Sequence, residues 1–258
     1  MKPLILALLA TPVLAQADFT FARALNDYIY TFDQYRSAHQ QYELKKNEYL
    51  KFKTLTSQTD AYIAGLSLLK HRDDAIRTHL TALRLKLAET PGVDPTDRQS
   101  KYARIDQEVN WLYAHQTKLN NTNNLTELTR VSQELENRYP NINVLMYQSL
   151  IAILKSKQIY LHTQITADYQ TLKTKIGDIK ASGEDTDIID RWLVQAQQRL
   201  ELSQERQAAA TNLAAKFTPQ ARNLPQDFLN AQFTLKESHQ YLKETISALQ
   251  EIIREIKT

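Results

Sequence analysis

Apolar positions fall in seven-residue steps along most of this chain. Phe21, Tyr28, Tyr35, Tyr42 and Tyr49 recur every seven residues, with Leu25, Phe32, His39 and Lys46 between them at offsets of four and three. An aromatic at every first position of a heptad predicts one long helix from about Phe19 to Thr54 that presents a seam to partner helices. The register then slips. Leu55, Tyr62, Leu69, Ile76 and Leu83 form a second series, with Leu66, Leu80 and Leu87 interleaved. Tyr49, Phe52 and Leu55 are spaced three and three, and Thr54, Thr56, Ser57 and Thr59 crowd the same point. A stammer among weak helix formers predicts a bend or a change of partner near Thr56. The second segment ends before Pro91-Gly92.

Further helices follow by the same reasoning. Asp94 caps a third segment, with Pro95 at its first position and Asp97 in its first turn. Tyr102, Ile105, Val109, Leu112, Gln116 and Leu119 form its seam. An asparagine-rich turn separates it from a short helix over 125–138, which Pro140 is expected to stop. Asn120-Asn121-Thr122 and Asn124-Leu125-Thr126 match the N-glycosylation pattern, and asparagine-rich turns explain them without glycans. Asn143 then caps a long helix to about Ile179. Ile189, Leu193, Ala196, Leu200, Ser203, Gln207, Ala210, Ala214 and Phe217 keep unbroken heptad spacing. Pro225 starts a last helix, whose series is Phe228, Gln232, Leu235, His239, Leu242, Ile246, Leu249, Ile253 and Ile256. No stretch carries the period-two pattern of a strand.

The expected fold is therefore all-α: an elongated antiparallel bundle of long, amphipathic, coiled-coil-like helices. Segments 19–54, 143–179, 186–217 and 225–257 each span roughly 50 Å at 1.5 Å per residue. Matched lengths predict a four-helix bundle from 18–56 and 141–258, with a helical sub-bundle, 57–139, inserted. A single first helix running continuously from 19 to 89 is the alternative.

Composition narrows the function more than it identifies one. Four glycines and seven prolines among 258 residues leave no material for a Gly-rich phosphate loop, a dinucleotide fingerprint or a nucleophile elbow, and none is present. The 32 basic and 29 acidic residues are mixed along the chain, as on solvated helix faces, so no nucleic-acid partner is expected. The absence of cysteine excludes disulfides, thiolate metal sites and a lipid-anchored cysteine.

Residues 1–17 read as a signal peptide. Lys2 supplies the positive region, Leu4 to Leu14 the apolar run, and Ala15-Gln16-Ala17 the small-x-small cleavage site, leaving Asp18 as the mature N-terminus. No later segment is apolar enough to span a bilayer. An exported protein is expected: periplasmic, envelope-associated or secreted.

The candidate ligand or interface residues are Tyr28, Tyr35 and Tyr42 of the aromatic stripe, with His39 and His239 on predicted seams of the first and last helices. The tyrosines also suit a bundle core, with hydroxyls at its edge. The two histidines, if facing, would make a metal pair or a pH-sensitive layer. Without His-Glu-x-x-His or Glu-x-x-His sets, no metal or cofactor is expected. Off the seam, Phe19, Tyr30 and Tyr113 are free to form a binding surface. Asp73-Asp74 and Glu184-Asp185 read as solvated or capping carboxylates.

The expected function is that of a non-catalytic structural or protein-interaction module, acting on an unknown protein partner or by self-association. The alternative is a small-ligand-binding helical bundle of the periplasmic sensor type, which requires an apolar cavity with converging polar groups near Tyr28 to Tyr42.

Overall fold

The computed structural model describes residues 20–257. The signal segment, with Ala15, Ala17 and Asp18, and the aromatic Phe19 lie outside the described residues. Six helices account for the described fold: α1 (Phe21–Phe52), α2 (Leu55–Glu89), α3 (Pro95–Asn120), α4 (Leu125–Ala181), α5 (Asp187–Ala214) and α6 (Leu224–Glu255). No strand occurs among the described residues.

The first break comes at Lys53–Thr54, slightly before the expected Thr56. Lys53 takes the left-handed conformation (φ 51°), and its N–H bonds the Tyr49 carbonyl, which closes α1. Thr54 and Ser57 exchange bonds as a capping box that opens α2. The chain reverses here, so α1 returns along α2 as an antiparallel hairpin. Phe21 N–H bonds Glu89 at one end, and Lys45 pairs with Asp60 near the other.

The surface that α1 gives to α2 differs from the one its large side chains predict. Only Ala24 and Ala38 of α1 are buried. They alternate with Tyr28, Thr31, Tyr35 and Tyr42 at steps of four and three. On α2, Ser57, Ala61, Leu68, Ala75, Thr78 and Ala82 face them, all buried. Small residues on both sides let the two backbones approach closely along their length. Thr31 and Thr78 hydroxyls meet at 2.7 Å across the seam. The stripe tyrosines are half-buried at its edge rather than at a core centre, and Phe32 and His39 are exposed.

The other face of α2 carries Leu69, Ile76, Leu80, Leu83 and Leu87, which are buried against α3 and α4. Asp94 and Asn124 cap α3 and α4 by accepting from Asp97 N–H and Glu127 N–H. Pro140 does not stop a helix: α4 runs unbroken through it for 57 residues, about 85 Å at 1.5 Å per residue. A proline inside a helix forfeits a hydrogen bond and costs roughly 3 kcal/mol. Burial on both sides outweighs that loss. Leu128, Val131 and Leu135 before it, and Ile142, Leu145 and Met146 after it, belong to the same α2–α3–α4 packing.

In the second half of the chain, α5 and α6 form another close antiparallel pair along α4. The α5 series predicted from Ile189 to Ala210 is buried in full. On α6 the buried set is Leu224, Ala231, Leu235, Ser238, Leu242, Thr245, Ala248, Leu249 and Ile252. Ser203, Ser238 and Gln207 form a buried hydrogen-bonded layer with contacts of 2.9, 3.3 and 3.4 Å.

Helix α4 is thus shared by two assemblies. It packs with α2 and α3 through its first half and with α5 and α6 through its second, and among the described residues the backbone of α1 approaches only α2. Helix lengths alone suggest α1 beside 141–258; the small-residue seam instead commits it to its sequence neighbour. Gly65 marks a crowded point: a Cβ there would meet Leu128 at 3.1 Å and the Tyr42 ring at 3.3 Å, so a glycine lets α1 and α4 both reach α2.

Candidate functional site

Because α1 sits on α2 alone, an open cleft remains between α1 and α4, with α2 as its floor. Its main groove has a volume of about 610 Å³. Tyr28, Phe32 and Tyr35 form the α1 wall, while Tyr139, Pro140 and Tyr147 stand on the α4 wall. Tyr28 stacks on His79 of the floor, ring centres 4.6 Å apart at 21°, and Phe32 lies 5.8 Å from Tyr28 and 6.2 Å from Tyr35. Burial raises the Tyr28 and Tyr139 hydroxyls above their ordinary pKa, and it lowers His79, which is therefore held neutral at neutral pH. Apolar ring faces and neutral polar tips thus dominate the walls.

Two charged residues also line the groove, Arg72 of α2 and Glu136 of α4. Arg72 Nη2 donates to Ser132 Oγ at 3.3 Å, while its Nε is buried without an acceptor among the described residues. No carboxylate lies within 4.0 Å of its guanidinium among the described residues. Burial pulls its pKa below the ordinary value, opposed by the charges of Asp73, Glu136 and Tyr35. An arginine remains protonated regardless, so the groove holds a cation with an unmet donor. Glu136 accepts from Ser132 and Gln133. Pro140 lacks the N–H that would bond the Glu136 carbonyl, so this turn carries a spare acceptor as well. A second cleft of about 350 Å³, lined by Tyr42, Leu128 and Ser132, shares Arg72 and Glu136 and continues the groove along α4.

The candidate residues are therefore partly brought together. Tyr28 and Tyr35 line the main groove, and Tyr42 lines its continuation. His39 is exposed on α1, and His239 is half-buried on α6 with Nδ1 unpartnered. The backbones of α1 and α6 do not approach each other among the described residues, so the two histidines form neither a pair nor a layer. Tyr30 and Tyr113 are exposed as their off-seam positions imply, and Arg77 covers the Tyr113 ring at 4.7 Å. Among the described residues no three His, Asp or Glu side chains gather to hold a metal, and no helix is long and apolar enough to cross a membrane.

One titratable pair was not anticipated. Asp73 is buried rather than solvated, and its Oδ2 meets His115 Nδ1 at 2.6 Å, both residues being 1% exposed. His115 Nε2 donates to the Val131 carbonyl at 2.9 Å, and Trp111 stacks on the ring at 4.8 Å. Asp73 and His115 line neither of the two clefts described. The pair ties α2, α3 and α4 together.

A scan against models of known protein families finds no match to this chain, and searches of curated proteins and of solved structures find none either.

Proposed function

We propose that this chain is an exported, non-catalytic helical binding protein whose α1–α2–α4 groove takes a small amphiphilic molecule, one with a flat apolar body and a single anionic group. The observation that carries this reading is Arg72: a half-buried arginine whose buried Nε–H is unmet among the described residues, lining a groove walled by aromatic rings. The volume falls in the ordinary range for ligand pockets, and an apolar wall with few converging polar groups is their usual lining. Stacking on Tyr28, Phe32 and Tyr139 supplies contact area, and the guanidinium fixes one end of the ligand. Export follows from residues 1–17 read as a signal peptide cleaved after Ala17.

Anilinonaphthalene sulfonate, with fused rings and one sulfonate, is a suitable probe. Its fluorescence should rise on binding with saturable, one-site behaviour. Arg72→Gln should weaken it at least ten-fold, and Asn143→Trp, which fills the groove, should abolish it while thermal stability is retained. Unsaturable binding that neither substitution alters would overturn the reading.

A second reading is the protein-interaction module. It is favoured by Ile29, Tyr30 and Leu44, large apolar side chains left exposed on the outer surface of α1. Light scattering coupled to size exclusion separates the two. A monomer that binds the probe supports the ligand groove; a dimer lost on Tyr30→Ser supports self-association.

A further inference from the structure

The apex of the α1/α2 hairpin combines three features that the groove does not use. The hydroxyl of Tyr62 bonds the Thr122 carbonyl in the α3–α4 turn, so the turn sits level with Tyr62. Residues 55–61 of α2, with the end of α1 beside them, extend past it by about 10 Å at 1.5 Å per residue. On this projecting tip Leu50 is 57% exposed, Phe52 59% and Leu55 79%. The second feature is charge. Lys45 and Lys46 pair with Glu48, Asp60 and Glu43, but Lys51 and Lys53 have no acidic partner among the described residues, and no acidic residue occurs from Tyr49 to Thr59. The third is backbone strain. Lys53 is the sole non-glycine residue with positive φ among those described, at a helix end where glycine or asparagine is the usual solution. Lysine there lacks the local advantage that glycine or asparagine would bring to the turn.

We propose that this apex is a docking element for an anionic lipid surface, with Leu50, Phe52 and Leu55 entering the interface and Lys51 and Lys53 meeting the headgroups. Apolar side chains flanked by lysines without acidic partners, Lys51 lying over the Phe52 ring at 5.1 Å, suit the boundary between acyl chains and anionic headgroups. A second copy of the chain fits the tip poorly. A stable dimer buries roughly 800 Å² per partner, far beyond three side chains on a convex end. A fluid bilayer accommodates a convex tip without a complementary shape.

The chain has no cysteine, so a single Thr56→Cys substitution can carry an environment-sensitive fluorophore at the apex, and Asn110→Cys on α3 serves as the control. A local readout is needed because the apolar run Leu4–Leu14 of the full chain is itself able to enter lipid. On vesicles of phosphatidylcholine with added phosphatidylglycerol, the apex label should shift to the blue and brighten, and the control label should not. Replacing Lys51 and Lys53 by glutamine should weaken the response about 25-fold, from a factor of about five per lysine. Added salt should weaken it too. Leu50→Ser, Phe52→Ser and Leu55→Ser together should remove it with the melting temperature retained, since all three side chains are exposed. Lys53→Gly should separate the two effects, raising thermal stability while reducing the vesicle response. No change at the apex label on any vesicle, or an equal change on neutral and anionic vesicles, would overturn the proposal. Neither result bears on the Arg72 groove, which is read by the soluble probe.

Discussion

Breaking the Asp73–His115 pair should be among the most damaging single changes outside the apolar core. The Val131 carbonyl can only accept, so His115 Nε2 must carry a proton. A second proton lies between Nδ1 and Asp73 Oδ2 at 2.6 Å. These two hydrogen bonds are therefore made only with both protons in place, whether as imidazolium–carboxylate or as neutral imidazole–carboxylic acid, while Asp73 Oδ1 is buried without a partner among the described residues. Burial raises Asp73 above its ordinary 3.8, and the His115 bond offsets this only in part. For His115 burial acts downward, but the Asp73 bond and charge, with the Val131 carbonyl, leave the net direction above the ordinary 6.5. Both groups thus hold protons more tightly folded than unfolded. Their contribution is complete at low pH and is lost as pH rises, for His115 from about its unfolded value through its raised folded value.

His115→Leu leaves a carboxylate 1% exposed with no partner. Removing one member of such a pair costs about 3–5 kcal/mol, a large share of the roughly 5–15 kcal/mol typical of a domain. The double substitution Asp73→Val with His115→Leu replaces the pair by apolar volume and should recover most of that loss. Urea unfolding of the three proteins on either side of neutral pH is the assay. Wild type should lose stability toward alkaline pH, and the double variant should lose distinctly less. A His115→Leu protein within about 0.5 kcal/mol of wild type, the range of an ordinary surface substitution, would refute the reasoning.

Three further outcomes follow from packing. Ala38→Leu should destabilise by about 1–3 kcal/mol, because overpacking the α1/α2 seam forces the backbones apart, and faster hydrogen exchange in α1 would show it. Gly92 and Gly183 both have positive φ, but a Cβ at Gly92 would sit 2.7 Å from the Ser156 carbonyl oxygen whereas Gly183 faces open space. Gly92→Ala should therefore lower the melting temperature distinctly more than Gly183→Ala. Pro140→Ala should restore the bond to the Glu136 carbonyl and raise stability by up to ~3 kcal/mol in thermal melts, the penalty of an interior proline.

Most helix limits were legible in caps and heptads, and the α5 series was legible residue by residue. The α1 and α6 seams were misread in the same way. In each, the series Tyr28, Tyr35 and Tyr42, or Leu235, Leu242 and Leu249, holds its place, but between its members Thr31 and Ala38 lie on the seam instead of Phe32 and His39, and Thr245 and Ile252 instead of Ile246 and Ile253. A hydrophobicity count favours size, whereas a close antiparallel pair favours small side chains such as Ala38 and Thr245, so the alternate positions of the stripe lie one residue earlier. Pro140 was read as a stop because the signal is local, and the burial that overrides it is tertiary. The Asp73–His115 pair joins residues 42 positions apart, beyond any local pattern. A trace of it was present: His115 lies between Leu112 and Leu119 in seam spacing, and Asp73 between Leu69 and Ile76. Two ionisable groups on facing seams imply that they meet. Of the groove, the aromatic wall was legible in Tyr28, Tyr35 and Tyr42, but Arg72 and the α4 wall left no such trace, because a cleft arises from where α1 fails to pack.

The sharing of α4 has a consequence for how the chain folds. Backbone contacts link helices only one or two elements apart in sequence. Such a chain is nearly one-dimensional in its energetics, like a short solenoid, and its mostly local contacts favour fast folding. The two assemblies overlap only where Ile142, Leu145, Ile151, Ile153 and Ser156 bury the middle of α4. Unfolding can then begin at either end and stall at this overlap. Amides of residues 142–156 should exchange last, and melting followed in α1 and in α6 should give separate transitions rather than one.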